Sequence, residues 1–111
     1  MGKIVGILVF TNQEVLDHKL RDGKSSEGNY CFWEMGRFPK RIEEAEGQAE
    51  IRLYMAIKGK VKGYFIVHDW EGDLEFYSES WHPIDDGEQL KPSQGFRYYT
   101  HMEVKPNSSH D

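Results

Sequence analysis

The chain has 111 residues, 38% hydrophobic and 30% charged, the balance of one globular domain with room for a real core and none for a second. A formal net charge of −5 argues against a protein that grips long duplex nucleic acid by neutralising many phosphates. No apolar run approaches the roughly 20 residues needed to cross a bilayer, so no membrane partner is expected. The lone Cys31 offers no intramolecular disulfide and points to a reducing cytoplasm.

In chain order, the apolar run at residues 4–10 has one basic residue, Lys3, before it and no small-residue cleavage site. It reads as a first β-strand rather than a signal peptide. Residue 6 is Gly, which removes a myristoylation signal at Gly2. Thr11 and Glu14 have capping-box spacing, and Val15, Leu16 and Leu20 form a short apolar stripe, which predicts a helix over residues 12–20. Residues 21–29, rich in Gly, Ser and charge, predict a mobile loop. Residues 30–33 read as a short strand. Residues 36–47 are a polar excursion in which Pro39 limits any helix to a turn or two after it.

Ile51, Leu53, Met55 and Ile57 alternate with Arg52, Tyr54 and Ala56, the period of a half-buried strand. Lys58-Gly59-Lys60 predicts a tight hairpin turn. Val61, Phe65 and Val67 then line the inward face of a return strand, with Gly63 marking a bulge or close approach. Residues 69–73 form a turn, residues 74–78 begin another strand, and a long connection carries Trp81, Pro83 and Gly87. The last strand is expected over residues 95–104, with Phe96 and Tyr98 opposite Arg97 and Tyr99. A single domain is thus expected over residues 1–104, with a flexible tail at 105–111. The fold class is α+β: a small, mainly antiparallel β-barrel of five or six strands with one or two short helices.

The charges are segregated. Residues 36–41 and 58–62 are basic, whereas residues 63–90 hold eight Asp or Glu and neither Lys nor Arg. Arg37, Lys40 and Arg41 suit a phosphate, or are solvated, with Arg41 pairing with carboxylates at 43–46. The lysines at 58, 60 and 62 read as protection of a hairpin edge. Near the end, Arg97 sits among Phe96, Tyr98 and Tyr99. A guanidinium beside rings suits a flat polar ligand such as a nucleobase, though Arg97 also suits a carboxylate partner. Trp33 and Trp81 read as stacking platforms or as core filling, and Trp70 as a cap over the barrel end. Phe96 and Tyr98 read as core. The His residues have no metal-ligand spacing, so no metal or other cofactor is expected, and neither Cys31 nor Ser78 nor Ser80 carries a nucleophile motif.

The order of these features resembles the PUA-like superfamily, in particular its small ASCH and EVE-type domains. The resemblance runs through Tyr30-Cys31-Phe32-Trp33, then Gly36-Arg37-Phe38-Pro39, and the hairpin from Gly59 to Val67. It closes with Trp81 to Pro83 and Gly95-Phe96-Arg97-Tyr98. It implies a β-barrel with a cleft and a role in binding RNA or a modified nucleobase or nucleoside. Some ASCH members are amidohydrolases using Lys, Thr and Glu. Lys19 and Lys24 lie near the right region, but no threonine follows nearby, so catalysis is not carried over. The expected ligand-binding residues are Trp33, Arg37, Lys40, Trp81, Arg97 and Tyr99, converging on one cleft. The alternatives are a hydrolase of a modified nucleoside, or a protein-interaction domain whose exposed aromatics form a homodimer.

Overall fold

In the computed structural model, which describes residues 3–45 and 47–101, the first apolar stretch forms strand β1 (Lys3–Thr11). Helix α1 (Gln13–Asp22) follows directly and buries Leu16. Its capping residue is Asn12, whose extended backbone lets the side chain accept from the Val15 N–H at 2.8 Å, an arrangement worth about 1 kcal/mol. Thr11 does not cap because it is still in the strand, paired with Ile57. The loop expected to be mobile instead contains a 3-10 turn (Ser25–Glu27). The Ser25 N–H and hydroxyl both donate to the Glu79 carboxylate, at 3.0 and 2.9 Å, and hold that carboxyl below its usual range.

Strand β2 (Cys31–Trp33) precedes a short helix α2 (Lys40–Glu44), which starts after Pro39 as the proline predicts. Strands β3 (Ala49–Ile57) and β4 (Lys60–Asp69) form the central hairpin. Its turn residues Lys58 and Gly59 have φ of 53° and 83°, the left-handed pair that matches the twist of a tight hairpin. Short strands β5 (Leu74–Phe76), β6 (His82–Pro83) and β7 (Arg97–Tyr98) complete the sheet. The last strand is therefore much shorter than expected within the described residues. Its residues 102–104, the tail at 105–111, and Met1 and Gly2 lie outside them.

The seven strands make one sheet in the order β2-β5-β4-β3-β1-β7, with β6 paired to β4. Two features correct the expected barrel. First, β1 and β3 pair in parallel over their whole length, from Lys3 opposite Ala49 to Thr11 opposite Ile57, so the sheet is mixed although mostly antiparallel. Second, the sheet does not close. Its edges β2 and β7 have three and two residues, too short to make the ladder that would join them.

The core has two parts because both faces of the centre are covered. On one face, Leu16 of α1 and Ile42 of α2 pack with Ile7, Leu53, Met55, Phe65 and Phe76. On the reverse face, Leu8, Tyr54, Ala56 and Val61 pack under Leu90, Ile84 and Tyr99. Strand β3 is thus buried on both sides rather than half-buried: Tyr54 and Ala56 are 0% exposed. Val61 also differs from its expected face. A bulge between its pairing with Ala56 and that of Gly63 with Met55 inserts one extra residue, which turns Val61 to the reverse side. Gly63 itself is needed for close approach, since a Cβ there would enter the Trp81 ring and the His82 carbonyl.

One buried hydroxyl locks the helix layer to the sheet. Ser78 is 3% exposed; its Oγ accepts from the Gly23 N–H at 2.9 Å and donates to the Lys19 carbonyl at the end of α1. Its own N–H donates to the Gly23 carbonyl at 2.8 Å. Replacing Ser78 by Ala leaves the buried Gly23 N–H without an acceptor and the Lys19 carbonyl with only the weak Cys31 thiol donor, and we expect about 2 kcal/mol of lost stability. Urea unfolding measures this; a loss below about 0.5 kcal/mol would show that the hydroxyl is not the lock.

Candidate functional site

A concavity lies at the unclosed seam of the sheet. Strand β2 delivers Trp33, and the segment that follows it delivers Glu34 and Arg37 to one wall. The segment entering β7 delivers Ser93, Gln94 and Phe96 to the facing wall, and Val9 and Phe10 of β1 also border the concavity. The cavity between them measures about 540 Å³. A second concavity of about 490 Å³ adjoins it, lined by Arg37, Lys40 and Arg41 around α2 and by Phe96 and Tyr98 on the β7 side. Arg37 and Phe96 belong to both, so the two are lobes of one groove. Each falls in the size range of small-ligand sites.

Cations and rings are paired along this groove. The guanidinium carbon of Arg37 lies 5.6 Å from the Phe96 ring centroid, and that of Arg41 lies 4.2 Å from Tyr98. Tyr98 does more: its hydroxyl accepts from the Arg41 N–H at 3.1 Å and so seats the first turn of α2 against β7. Among the described residues none of Arg37, Lys40 and Arg41 forms an ion pair. Among the described residues Arg41 pairs with none of the expected carboxylates and lies over Tyr98 instead, which leaves the planar fork able to donate; Glu46, the last of that expected set, lies outside the described residues. On the outer side of Trp33, the Lys19 ammonium sits 5.6 Å from the indole and donates to the Phe32 carbonyl at 2.9 Å.

The six residues singled out from the sequence therefore separate. Trp33, Arg37 and Lys40 line the groove. Trp81 does not: it packs on Phe65, with ring centroids 4.8 Å apart, against the first core cluster. Arg97 and Tyr99 face the reverse side because they alternate with Phe96 and Tyr98 along the strand. Arg97 lies 5.3 Å from the Phe10 ring and donates to the Lys91 carbonyl at 3.2 Å and Ser93 Oγ at 3.1 Å. It holds the loop that forms a groove wall, and pairs with no described carboxylate. Tyr99 donates to Glu88 Oε1 at 2.7 Å and packs edge-on against Tyr54. Expected convergence of Trp33, Trp81 and Arg97 on one wall does not occur.

Three contributors were underweighted by the sequence reading. Phe96 and Tyr98 pack against the core and also line the groove, because β7 is an edge strand and both residues are only partly buried. Arg41 belongs with Arg37 and Lys40; its place in the same short basic run was the available signal. Among the described residues, no group of three or more His, Cys, Asp or Glu could hold a metal ion, and no helix is long and apolar enough to cross a membrane. Comparison with protein-family models, curated proteins and solved structures finds no match to the chain.

Burial, reinforced by the Glu88 carboxylate, raises the Tyr99 pKa well above the usual tyrosine value. An unfolded tyrosine ionises near pH 10, whereas folded Tyr99 keeps its proton to higher pH. Its contribution to stability is therefore intact below about pH 10 and is lost progressively above it. We expect the melting temperature of the wild type to fall more steeply above pH 10 than that of Tyr99→Phe. Parallel pH profiles for the two proteins would remove Tyr99 as the cause.

Proposed function

We propose that the chain is a nucleic-acid-binding module of PUA-like type, which seats one nucleobase and its phosphate in the seam groove. The ligand class is single-stranded RNA or a modified base presented by a nucleotide. The adjacency of the two lobes carries this reading: partly exposed rings of Trp33 and Phe96 line the first, and three cations with no ion pair among the described residues line the second. A base stacked on an aromatic ring gains ~1–3 kcal/mol. The phosphate on the sugar of that nucleotide then reaches Arg37, Lys40 and Arg41, whose donors form charge-assisted hydrogen bonds with it.

The charge of the whole chain fits a short site. With a net charge of −5, only a local cluster can attract phosphate, and the groove supplies three cations against the Glu34 and Glu44 carboxylates. The first lobe, where Glu34 opposes Arg37, has no formal excess of positive charge and suits the uncharged base. The ordered resemblance to PUA-like domains supports the same ligand class.

Fluorescence anisotropy of short single-stranded oligonucleotides at several salt concentrations tests the reading. With at most three phosphates neutralised, the slope of log affinity against log salt should be no steeper than about −2. Arg37→Ala should weaken binding about tenfold and make the slope shallower by about 0.7. Trp33→Leu, which keeps apolar bulk but removes the stacking face, should also weaken binding about tenfold. Lys58→Ala, on the distant hairpin turn, should bind as wild type does. Absence of binding at low salt, or equal binding by all four proteins, would defeat the proposal.

A further inference from the structure

The base-sized lobe holds one carboxylate that the fold does not use. Glu34 is exposed and lines this lobe, and among the described residues it makes neither a hydrogen bond nor an ion pair. This is unexpected next to Arg37, whose guanidinium sits over Phe96 instead. Glu34 lines the same lobe as Trp33, and both residues also border a shallower concavity beside Lys19 and Phe32, so this carboxylate shares the surroundings of the stacking ring. The other polar groups of this lobe include the Gln94 amide and the Ser93 hydroxyl. Ser93 Oγ already accepts from Arg97, so its proton is the part left to offer.

An ionised carboxylate only accepts hydrogen bonds, and it has two oxygens side by side. It therefore discriminates among bases by the donors on their Watson–Crick edges, which are open to a protein in a single strand. Guanine presents N1–H and the N2 amino group next to each other, a match for both oxygens. Adenine and cytosine present one amino group beside a ring nitrogen lone pair, which faces the second oxygen unfavourably. Uracil presents one N–H between two carbonyls, so it satisfies one oxygen and repels the other. Guanine O6, adjacent to N1, is then left for a donor such as the Gln94 amide or the Ser93 hydroxyl.

We infer that Glu34 makes the groove selective for guanine, by accepting from N1–H and the N2 amino group of a base stacked on Trp33. The inference rests on the nucleic-acid reading and specifies which base it takes. A bidentate pair of this kind discriminates on the order of tenfold or more against a base that cannot form it.

The test uses the full chain and a uridine-rich single-stranded RNA carrying one guanine, adenine, cytosine or hypoxanthine at its centre. Hypoxanthine keeps N1–H and O6 but lacks the N2 amino group. Guanine should bind about tenfold more tightly than the other three. In Glu34→Gln, which keeps the size of the side chain but replaces one acceptor oxygen by a donor, guanine and hypoxanthine should bind alike. Thermal unfolding of E34Q reads whether the exposed substitution leaves the fold intact. Equal binding of all four RNAs, or a guanine preference that survives in E34Q, overturns the inference while leaving the nucleic-acid reading in place. Failure of every RNA to bind removes both.

Discussion

The parallel pairing of β1 with β3 is the constraint from which the rest of the architecture follows. Two parallel neighbours cannot be joined by a tight turn; the chain must travel back along the sheet before the second strand begins. Here residues 12–48 make that journey, and they carry α1, β2 and α2 with them. Both helices consequently lie on one face, over Leu53, Met55 and Phe65, and the reverse face is left to the 84–90 segment and Tyr99. The same journey brings Trp33, Arg37 and Arg41 opposite Phe96 and Tyr98. A groove opens where the sheet fails to meet itself.

A recurring contact decides how positive charge is held in this acidic protein. Arg37, Arg41, Arg52 and Arg97 each lie over an aromatic ring, Phe96, Tyr98, Tyr64 and Phe10 respectively. Arg52 also pairs with Glu50 at 2.5 Å, whereas no ion pair is formed by Arg37 or Arg41 among the described residues. Stacking orients a guanidinium without occupying its N–H fork, and an ion pair occupies that fork. The groove-lining cations are thus oriented and still able to donate, while Arg52 has its fork committed to neighbours.

Local features of the fold were legible in the sequence because they depend on neighbouring residues. Pro39 placed α2, Lys58-Gly59 placed the hairpin, and the alternation of Phe96 with Arg97 placed them on opposite faces. Features that depend on distant partners were not. Nothing local distinguishes a strand with a parallel neighbour from one without, and the aromatic Tyr54 reads as a polar-face residue until Leu8, Tyr64 and Tyr99 are brought around it. The extra residue at the bulge reversed Val61, although Gly63 announced that the bulge was there. For the site, the basic cluster and Trp33 were found, but assigning Trp81 and Arg97 to the same wall assumed a closed barrel. Without closure Trp81 stays against Phe65, and Arg97 reaches the groove only through the loop it holds.

That last arrangement makes Arg97 a strut standing behind a partition. Its guanidinium grips Lys91 and Ser93 from the reverse of the sheet, and the segment it steadies is one side of the groove. Truncating it would let that side sag without touching anything seated in front. A variant at position 97 with damaged recognition would therefore mimic the loss of a direct contact while reporting on scaffolding alone. Only residues whose side chains border the groove itself, Arg37 above all, can separate touch from support.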